Sequence, residues 1–410
     1  MPTVVTARTS RTYCLAHDRD RQHIISSQEL AIVLRHPWST CPVSELNLHD
    51  QVACWLSSGL FSQLHATKVP MNLFDTEIPE ARLHKLFHMM RGPQYLPERR
   101  VLEGWAEGFA DRDGKFVNEF QTTFESSMWE LYLNAYLKEL GSSLNFSHHA
   151  PDFVVDGPTK FCVEATIAAP AQGSAPAIGY DARDIPQDFN AFNAQAAIRI
   201  ANSISSKIKK YRASYSKLPH VHDRPFVIAI AAFDRPFAHF AASRPIMAAL
   251  YGVNYDEQAA IALGADATEI PQVPVVAAIK SNGADVPLGF FLDDSHSEIS
   301  AVIYSCLATW GKIRALADNP GAHTIYQSFH PAEYGLIPVV RTAMKSDYRE
   351  HLLDGLHVFH NPFAARPLDM ATLGHERLAQ FVMKEDGLHI FAPDDFLLLR
   401  MLRTVTTREA

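Results

Sequence analysis

Residues 151–168 read PDFVVDGPTKFCVEATIA, and this stretch decides the fold because it contains two short strand patterns separated by a turn. PDFVV and FCVEATIA are rich in β-branched and aromatic residues, and the Gly and Pro of DGPTK suit a tight hairpin loop. When the strands pair around this five-residue loop, Val155 faces Phe161. In the same register Asp152 lies directly opposite Glu164. The sequence therefore predicts an antiparallel hairpin that carries two carboxylates side by side.

Two opposed carboxylates in a hairpin need a partner of opposite charge. Directly opposite residues have Cβ atoms about 5 Å apart, so the two groups repel unless something positive lies between them. A divalent cation that prefers oxygen ligands, Mg²⁺ or Mn²⁺, would relieve this repulsion. Glu164 also sits in an otherwise apolar strand, where an unpaired charge is costly. The alternative is that Asp152 caps the strand and Glu164 lies on a solvated face.

The segments on either side of the hairpin complete a core. Residues 116–140 have the pattern of one long amphipathic helix, which Gly141 would end. Residues 192–215 form a second helix with an apolar stripe, and 225–233, PFVIAIAAF, reads as an inner strand. The order helix, hairpin, helix, strand predicts an α/β core.

The Pro-Asp dipeptide at 151–152 and the Glu-Ala-Thr tripeptide at 164–166 resemble the PD-(D/E)xK signature of restriction-endonuclease-like nucleases. The resemblance covers residues 116–235. It implies a mixed central sheet flanked by helices and metal-dependent hydrolysis of phosphodiester bonds, with DNA as the expected substrate.

The resemblance also implies a set of metal ligands. Asp152, Glu164 and the backbone carbonyl of Ala165 would hold Mg²⁺ or Mn²⁺. Glu130, on the helix before the hairpin, would complete the acidic set; a glutamate on the surface of that helix is the alternative reading.

One position departs from the family pattern. Thr166 stands where the family has lysine, and a threonine cannot replace an ammonium group. Lys207 on the second helix is the best substitute, with Tyr211 on the same helix face in an arrangement that resembles the QxxxY motif of one nuclease branch. Lys160 and Lys138 are weaker substitutes. The departure leaves open a catalytically inactive, nuclease-like module that binds nucleic acid or protein.

The helix that carries Lys207 also holds the main basic tract of the chain. No Asp or Glu occurs between Phe189 and His222. Such a helix could follow a phosphate backbone, although a solvated helix face is the plainer reading. The predicted nucleic-acid contacts are Arg199, Lys207, Lys209, Lys210, Tyr211 and Arg212, and Lys217 ends the tract.

Composition limits the remaining possibilities. The 410 residues carry 37 Lys and Arg against 45 Asp and Glu, and the net charge of −8 argues against a protein that coats nucleic acid. The five cysteines are scattered without a CxxC pair, so no disulfide framework or cysteine zinc site is indicated. Because no apolar segment resembles a signal peptide or membrane span, we expect a cytoplasmic protein.

The rest of the chain gives weaker predictions. Residues 1–115 read as a mostly helical region, and 236–410 as an α/β extension that packs on the core 116–235 and ends in a helix around DDFLLLRMLR. The oligomeric state stays open, with a homodimer as one option. Three histidine pairs are more typical of ordinary core or surface residues than of a functional site: the first has the spacing of helical metal ligands without the glutamate of HExxH, and the other two could contact substrate but have no metal-site spacing. They are His84 with His88, His148 with His149, and His357 with His360.

Overall fold

The computed structural model describes residues 71–179, 182–263, 270–280 and 282–404. Most of the predicted helical region, residues 1–70, lies outside them. The helices have the following bounds: α1 Lys85–Met90, α2 Leu96–Ala106, α3 Phe116–Thr122, α4 Phe124–Glu139, α5 Phe189–Ala213, α6 Arg244–Tyr251, α7 Glu257–Leu263, α8 Trp310–Leu316 and α9 Met370–Leu373. None of these described helices combines the length and apolar character needed to cross a bilayer.

The strands follow the hairpin predicted from the sequence and continue well beyond it. Their bounds are β1 Ser143–Leu144, β2 Phe153–Asp156, β3 Phe161–Ala168, β4 Phe226–Ala232, β5 Val253–Tyr255, β6 Gln272–Pro274, β7 Ala277–Ile279, β8 Asp285–Pro287, β9 Ala301–Ser305, β10 Thr324–His330, β11 Val339–Met344, β12 His357–His360, β13 Ala379–Lys384, β14 Gly387–Phe391 and β15 Leu399–Thr404.

A large mixed sheet forms the centre of the fold, with the strand order β1-β2-β3-β4-β9-β12-β13-β14. The hairpin β2–β3 is antiparallel, whereas β3, β4 and β9 run parallel to one another. Helices pack against the sheet, so the chain is an α/β protein with a mixed sheet flanked by helices. Every residue of β4 is buried, which confirms the inner strand predicted from PFVIAIAAF.

Two hydrophobic cores lie on opposite faces of this sheet. Trp129 of α4 and Phe153 of β2 belong to one core, and Ile204 of α5 and Cys162 of β3 belong to the other. Alternate residues of β3 therefore point toward different helices. Strands β9, β12, β13 and β14, all from the C-terminal part of the chain, continue the sheet that the hairpin begins.

The single helix predicted for 116–140 is wrong at its centre. Thr123 has φ −128° and ψ 41°, and it separates α3 from α4. The hydroxyl groups of Thr122 and Thr123 donate to the carbonyls of Asn118 and Glu119, four residues earlier. Such bonds from β-branched residues compete with the helical pattern and interrupt the helix.

The predicted C-terminal helix is also wrong. Residues 394–403, DDFLLLRMLR, lead into β15, which pairs antiparallel with β10 in a separate three-stranded sheet with β11. A short apolar run cannot be assigned to helix or strand by periodicity alone, and here the pairing with β10 decides the outcome.

Candidate functional site

The hairpin has the register predicted from the sequence. Asp152 precedes the paired residues by one position, so the register brings it opposite Glu164. The Oδ2 atom of Asp152 accepts a hydrogen bond of 2.7 Å from the backbone N–H of Ala165. The observed pairs are Phe153 with Val163, Val154 with Cys162, and Val155 with Phe161.

Glu164 points into the protein on the side of α5. Its side chain is 1% exposed, so the alternative of a solvated glutamate is wrong. The Oε1 atom accepts hydrogen bonds from Lys207 Nζ at 2.7 Å, Lys210 Nζ at 3.1 Å and the Tyr215 hydroxyl at 3.3 Å. The Oε2 atom is buried, and no described residue donates a hydrogen bond to it. Oε1 therefore accepts three hydrogen bonds, whereas Oε2 accepts none from the described residues.

Lys207 is the substitute lysine that the sequence favoured, and its ammonium group directly contacts Glu164. The side chains of Lys207 and Lys210 are 20% and 50% exposed, so the cationic side of the carboxylate opens toward solvent. Thr166 lies two residues beyond Glu164 in β3 and is half-buried. Thr166 carries no positive charge, and Lys207 and Lys210 of α5 place positive charge beside Glu164.

The other two lysines considered as substitutes lie elsewhere. Lys138 donates to the backbone carbonyl and side chain of Glu107. Lys160 is exposed in the hairpin loop.

Asp152 has a cationic neighbour that the sequence analysis missed. Arg112 Nη2 lies 3.9 Å from Asp152 Oδ1, and Arg112 Nη1 donates to the carbonyls of His148 and Pro151 at 2.8 and 2.9 Å. Its acceptors are backbone atoms 36 and 39 residues away, which leave no spacing signal in the sequence. Arg112 fixes the segment that leads into the hairpin.

Burial is the largest influence on the pKa values of Asp152 and Glu130. Burial, followed by the charge of Glu164, raises the pKa of Asp152 to about 6, and Lys207, the Ala165 N–H and Arg112 partly oppose this increase. Burial also raises the pKa of Glu130 well above its ordinary value, with Asp152 as the next largest cause. The charge of Glu164 thus raises the pKa of Asp152, and the charge of Asp152 raises the pKa of Glu130, although cations lie nearby.

The three acids do not gather as one cluster. Within the described ranges, no group of three or more His, Cys, Asp or Glu side chains is arranged to hold a metal. Asp152 and Glu164 form a pair, and Glu130 approaches from α4 on the other face of the sheet. No described residue makes a hydrogen bond or ion pair with the Glu130 carboxylate.

The basic tract along α5 divides into groups with different roles. Lys210 joins Lys207 at Glu164, while Lys209 is exposed. Arg212 instead forms an ion pair with Glu298 at 2.5 Å. Arg199 donates to backbone carbonyls at the end of β3, and Lys217 donates to the carbonyl of Ala213.

Tyr211 is not brought to the site with Lys207. Its ring is 6% exposed and packs 4.6 Å from Phe226 in the core. Tyr215, just past the end of α5, reaches Glu164 instead, and Lys210 Nζ lies 4.7 Å above its ring. Burial, followed by the charges of Glu164 and Asp152, raises the pKa of Tyr215, so its hydroxyl stays protonated and donates. A helical spacing cannot identify this tyrosine, because the helix ends before it.

The histidine pairs behave as ordinary residues. His84 Nε2 lies 3.3 Å from Glu125, and His88 Nε2 lies 2.5 Å from Glu80, so the two rings face different partners. His148 stacks on His220 with ring centroids 3.7 Å apart beside the hairpin. His357 is buried among aromatic rings, and His360 hydrogen-bonds to Gln380.

Comparison with known proteins finds no match for this chain. No family model matches the chain, and neither a curated protein nor a solved structure does.

Proposed function

We propose that this protein is a metal-dependent nuclease that hydrolyses phosphodiester bonds of nucleic acid, with DNA as the expected substrate, on a restriction-endonuclease-like core. One observation carries the proposal: Lys207 Nζ lies 2.7 Å from Glu164 Oε1, on the hairpin whose register sets Asp152 opposite Glu164. Two acids and a lysine are thus assembled although the lysine comes from a helix rather than from the strand.

The oxygen atoms at the site fit a hard divalent cation. The buried Oε2 of Glu164 has no donor among the described residues, and the pKa of Asp152 is raised to about 6 by burial and by Glu164. Both features belong to carboxylates whose negative charge is poorly compensated by the protein. Mg²⁺ and Mn²⁺ prefer such oxygen ligands. Asp152, Glu164 and the Ala165 carbonyl would hold the ion, with Glu130 as a further acid. When bound, such an ion polarises a phosphate and lowers the pKa of an attacking water.

The side chains of the protein have separate tasks in this proposal. Lys207 stabilises the negative charge that develops on the phosphate, and Lys210 raises the positive potential beside it. Thr166 contributes a hydroxyl where the family has an ammonium group. Glu130 orients the attacking water, and Arg112 keeps Asp152 in place.

A second candidate is a catalytically inactive module that binds nucleic acid through the same surface. The saturation of Glu164 Oε1 by two lysines and a tyrosine favours it, because an ion pair of this kind is stable without a metal. The two candidates differ in their metal dependence.

Cleavage of labelled double-stranded DNA, single-stranded DNA and RNA, each with Mg²⁺, Mn²⁺ or EDTA, tests the proposal. We expect Asp152→Asn, Glu164→Gln and Lys207→Met each to lose at least about 100-fold in rate, because each removes a group at the reacting phosphate. Lys384→Met is the control: it removes the same charge from an exposed position on β13, outside the predicted nucleic-acid contacts, and activity should remain.

Metal binding is measured separately by thermal unfolding. Mn²⁺ at about 100 times its dissociation constant should stabilise the wild type by about 2.7 kcal/mol and should not stabilise Asp152→Ala. Full activity in Asp152→Asn, or equal cleavage with and without EDTA, would remove the nuclease proposal. Binding of nucleic acid without any metal effect would establish the inactive module.

A further inference from the structure

A cavity of about 700 Å³ lies beside α5, away from Glu164. Its walls come from the segments that follow β3 and β4, from the first half of α5, and from the β7–β8 hairpin. In open α/β sheets the carboxyl ends of parallel strands are the usual place for ligands. The volume is within the range of sites for small molecules and for single nucleotide units.

The side chains that line the cavity carry a surplus of positive charge. Arg199, Arg235 and Lys280 contribute three cations, and Asp234 contributes one carboxylate. Asp234 pairs with Arg235, so these two charges cancel. Among the described residues, no carboxylate lies within ion-pair distance of Arg199 or Lys280. Two unneutralised cations therefore face one partly open cavity.

The two surplus cations are held in different ways. Arg199 Nε and Nη2 donate to the carbonyls of Ala169 and Pro170 at 2.8 and 3.2 Å, which fixes the guanidinium and leaves other N–H groups for a ligand. Lys280 lies at the turn of the β7–β8 hairpin, which packs against α5. No described residue accepts a hydrogen bond from its ammonium group. A planar donor and a compact cation in one cavity suit a phosphate group.

The cavity and the acid–lysine site lie along the same helix, α5. Arg199 and Lys207 are separated by two helical turns, about 12 Å along the axis at about 1.5 Å per residue. No Asp or Glu interrupts α5 between them. A strand of duplex DNA advances about 3.4 Å along the duplex axis per nucleotide, so, with α5 lying along that axis, the interval corresponds to about three to four nucleotides.

We propose that this cavity holds a backbone phosphate of the bound nucleic acid, about three to four nucleotides from the bond attacked beside Lys207. The proposal rests on the nuclease function for the identity of its ligand. It assigns Arg199 and Lys280 to the positioning of the strand and gives neither a role in the chemical step.

Equilibrium binding in EDTA tests this proposal without requiring cleavage. Fluorescence anisotropy of labelled DNA of ten or more nucleotides would be measured over a series of salt concentrations for the wild type, Lys280→Ala, Lys280→Arg and Arg199→Gln. We expect Lys280→Ala and Arg199→Gln to weaken binding by about tenfold at low salt and to reduce the slope of log K against log salt by about 0.7–0.9 each. Lys280→Arg should restore both quantities. Lys384→Ala, on β13 at the far side of the sheet, is the control and should change neither.

Comparing nucleic acids of different length with mononucleotides and inorganic phosphate identifies the ligand. A dinucleotide carries one backbone phosphate and cannot reach both the cavity and Lys207, so its affinity for the wild type should be far below that of the longer DNA. Equal wild-type affinity for dinucleotides and longer DNA, a loss in Lys280→Ala confined to mononucleotides or inorganic phosphate, an unchanged salt slope, or no binding by the wild type would each overturn the phosphate site. Cleavage assays on the same variants keep the two proposals apart: a binding defect in Lys280→Ala with no wild-type cleavage supports this site and removes the nuclease.

Discussion

Two buried glutamates, Glu164 and Glu350, have similar partners but differ in how many of their carboxylate oxygens accept a hydrogen bond. Glu350 Oε1 lies 2.5 Å from Lys312 Nζ and also pairs with Arg400, and its Oε2 accepts from the Tyr348 hydroxyl at 2.6 Å. Glu164 has two lysines and a tyrosine on Oε1 and no described donor on Oε2.

The two sites also differ in their access to water. The Lys312 side chain is 0% exposed, whereas those of Lys207 and Lys210 are 20% and 50% exposed. A carboxylate with every oxygen satisfied and all partners buried stabilises one structure. A carboxylate that has one oxygen without a hydrogen-bond donor, and whose partners are partly exposed to solvent, can bind a ligand. The comparison therefore separates a structural network from a candidate binding site.

The largest expected effect is on stability at Glu350. Glu350→Gln removes the charge that balances two buried cations, and we expect a loss of about 3–5 kcal/mol in the free energy of unfolding. Glu164→Gln is the matched substitution and should cost less than about 1 kcal/mol, because its lysines can turn toward solvent. Urea unfolding of both variants measures the difference. Equal losses in the two variants would show that Glu164 is as structural as Glu350.

A smaller effect is expected at Asp152, and it depends on pH. The pKa of Asp152 is raised from its ordinary 3.8 to about 6, first by burial and then by Glu164, so the folded state favours the protonated form. That stabilisation is complete below about pH 3.8 and is lost as the pH rises through about 6. Asp152→Asn stays neutral, and it should therefore be more stable than the wild type at pH 8 by on the order of 2 kcal/mol.

Thermal and urea unfolding from pH 4 to pH 8 measures this dependence. The advantage of Asp152→Asn should shrink as the pH falls and should vanish near pH 4. An advantage that is independent of pH would mean that the ionisation of Asp152 is not the cause.

The sequence predicts the hairpin part of the site well because the information is local. Turn residues, strand length and alternation fix the pairing of Val155 with Phe161, and the register then places Asp152 opposite Glu164. Lys207 is predicted from the resemblance to the nuclease family, whose lysine can stand on another element, and it contacts Glu164.

The remaining partners depend on tertiary structure. Arg112 binds backbone carbonyls, which every residue has, and Tyr215 lies beyond the end of α5, where helical periodicity no longer applies. The break at Thr123 and the strand at 399–404 were missed for a related reason: side-chain bonds to the backbone and pairing with a distant strand override the local pattern.

The smallest expected effect concerns the hydroxyl group that completes the crowded side of Glu164. Tyr215→Phe removes a donor 3.3 Å from Oε1 and keeps the ring beneath Lys210. Because two lysines still hold this oxygen, we expect a loss of only about 0.5–1 kcal/mol in stability and a fall of less than about tenfold in cleavage rate. Tyr211→Phe is the matched control, because its ring packs on Phe226 away from the carboxylate, and it should leave the cleavage rate unchanged. If both variants gave the same rate, the Tyr215 hydroxyl would have no part in the reaction, and the contrast with the fully satisfied Glu350 would rest on the lysines alone.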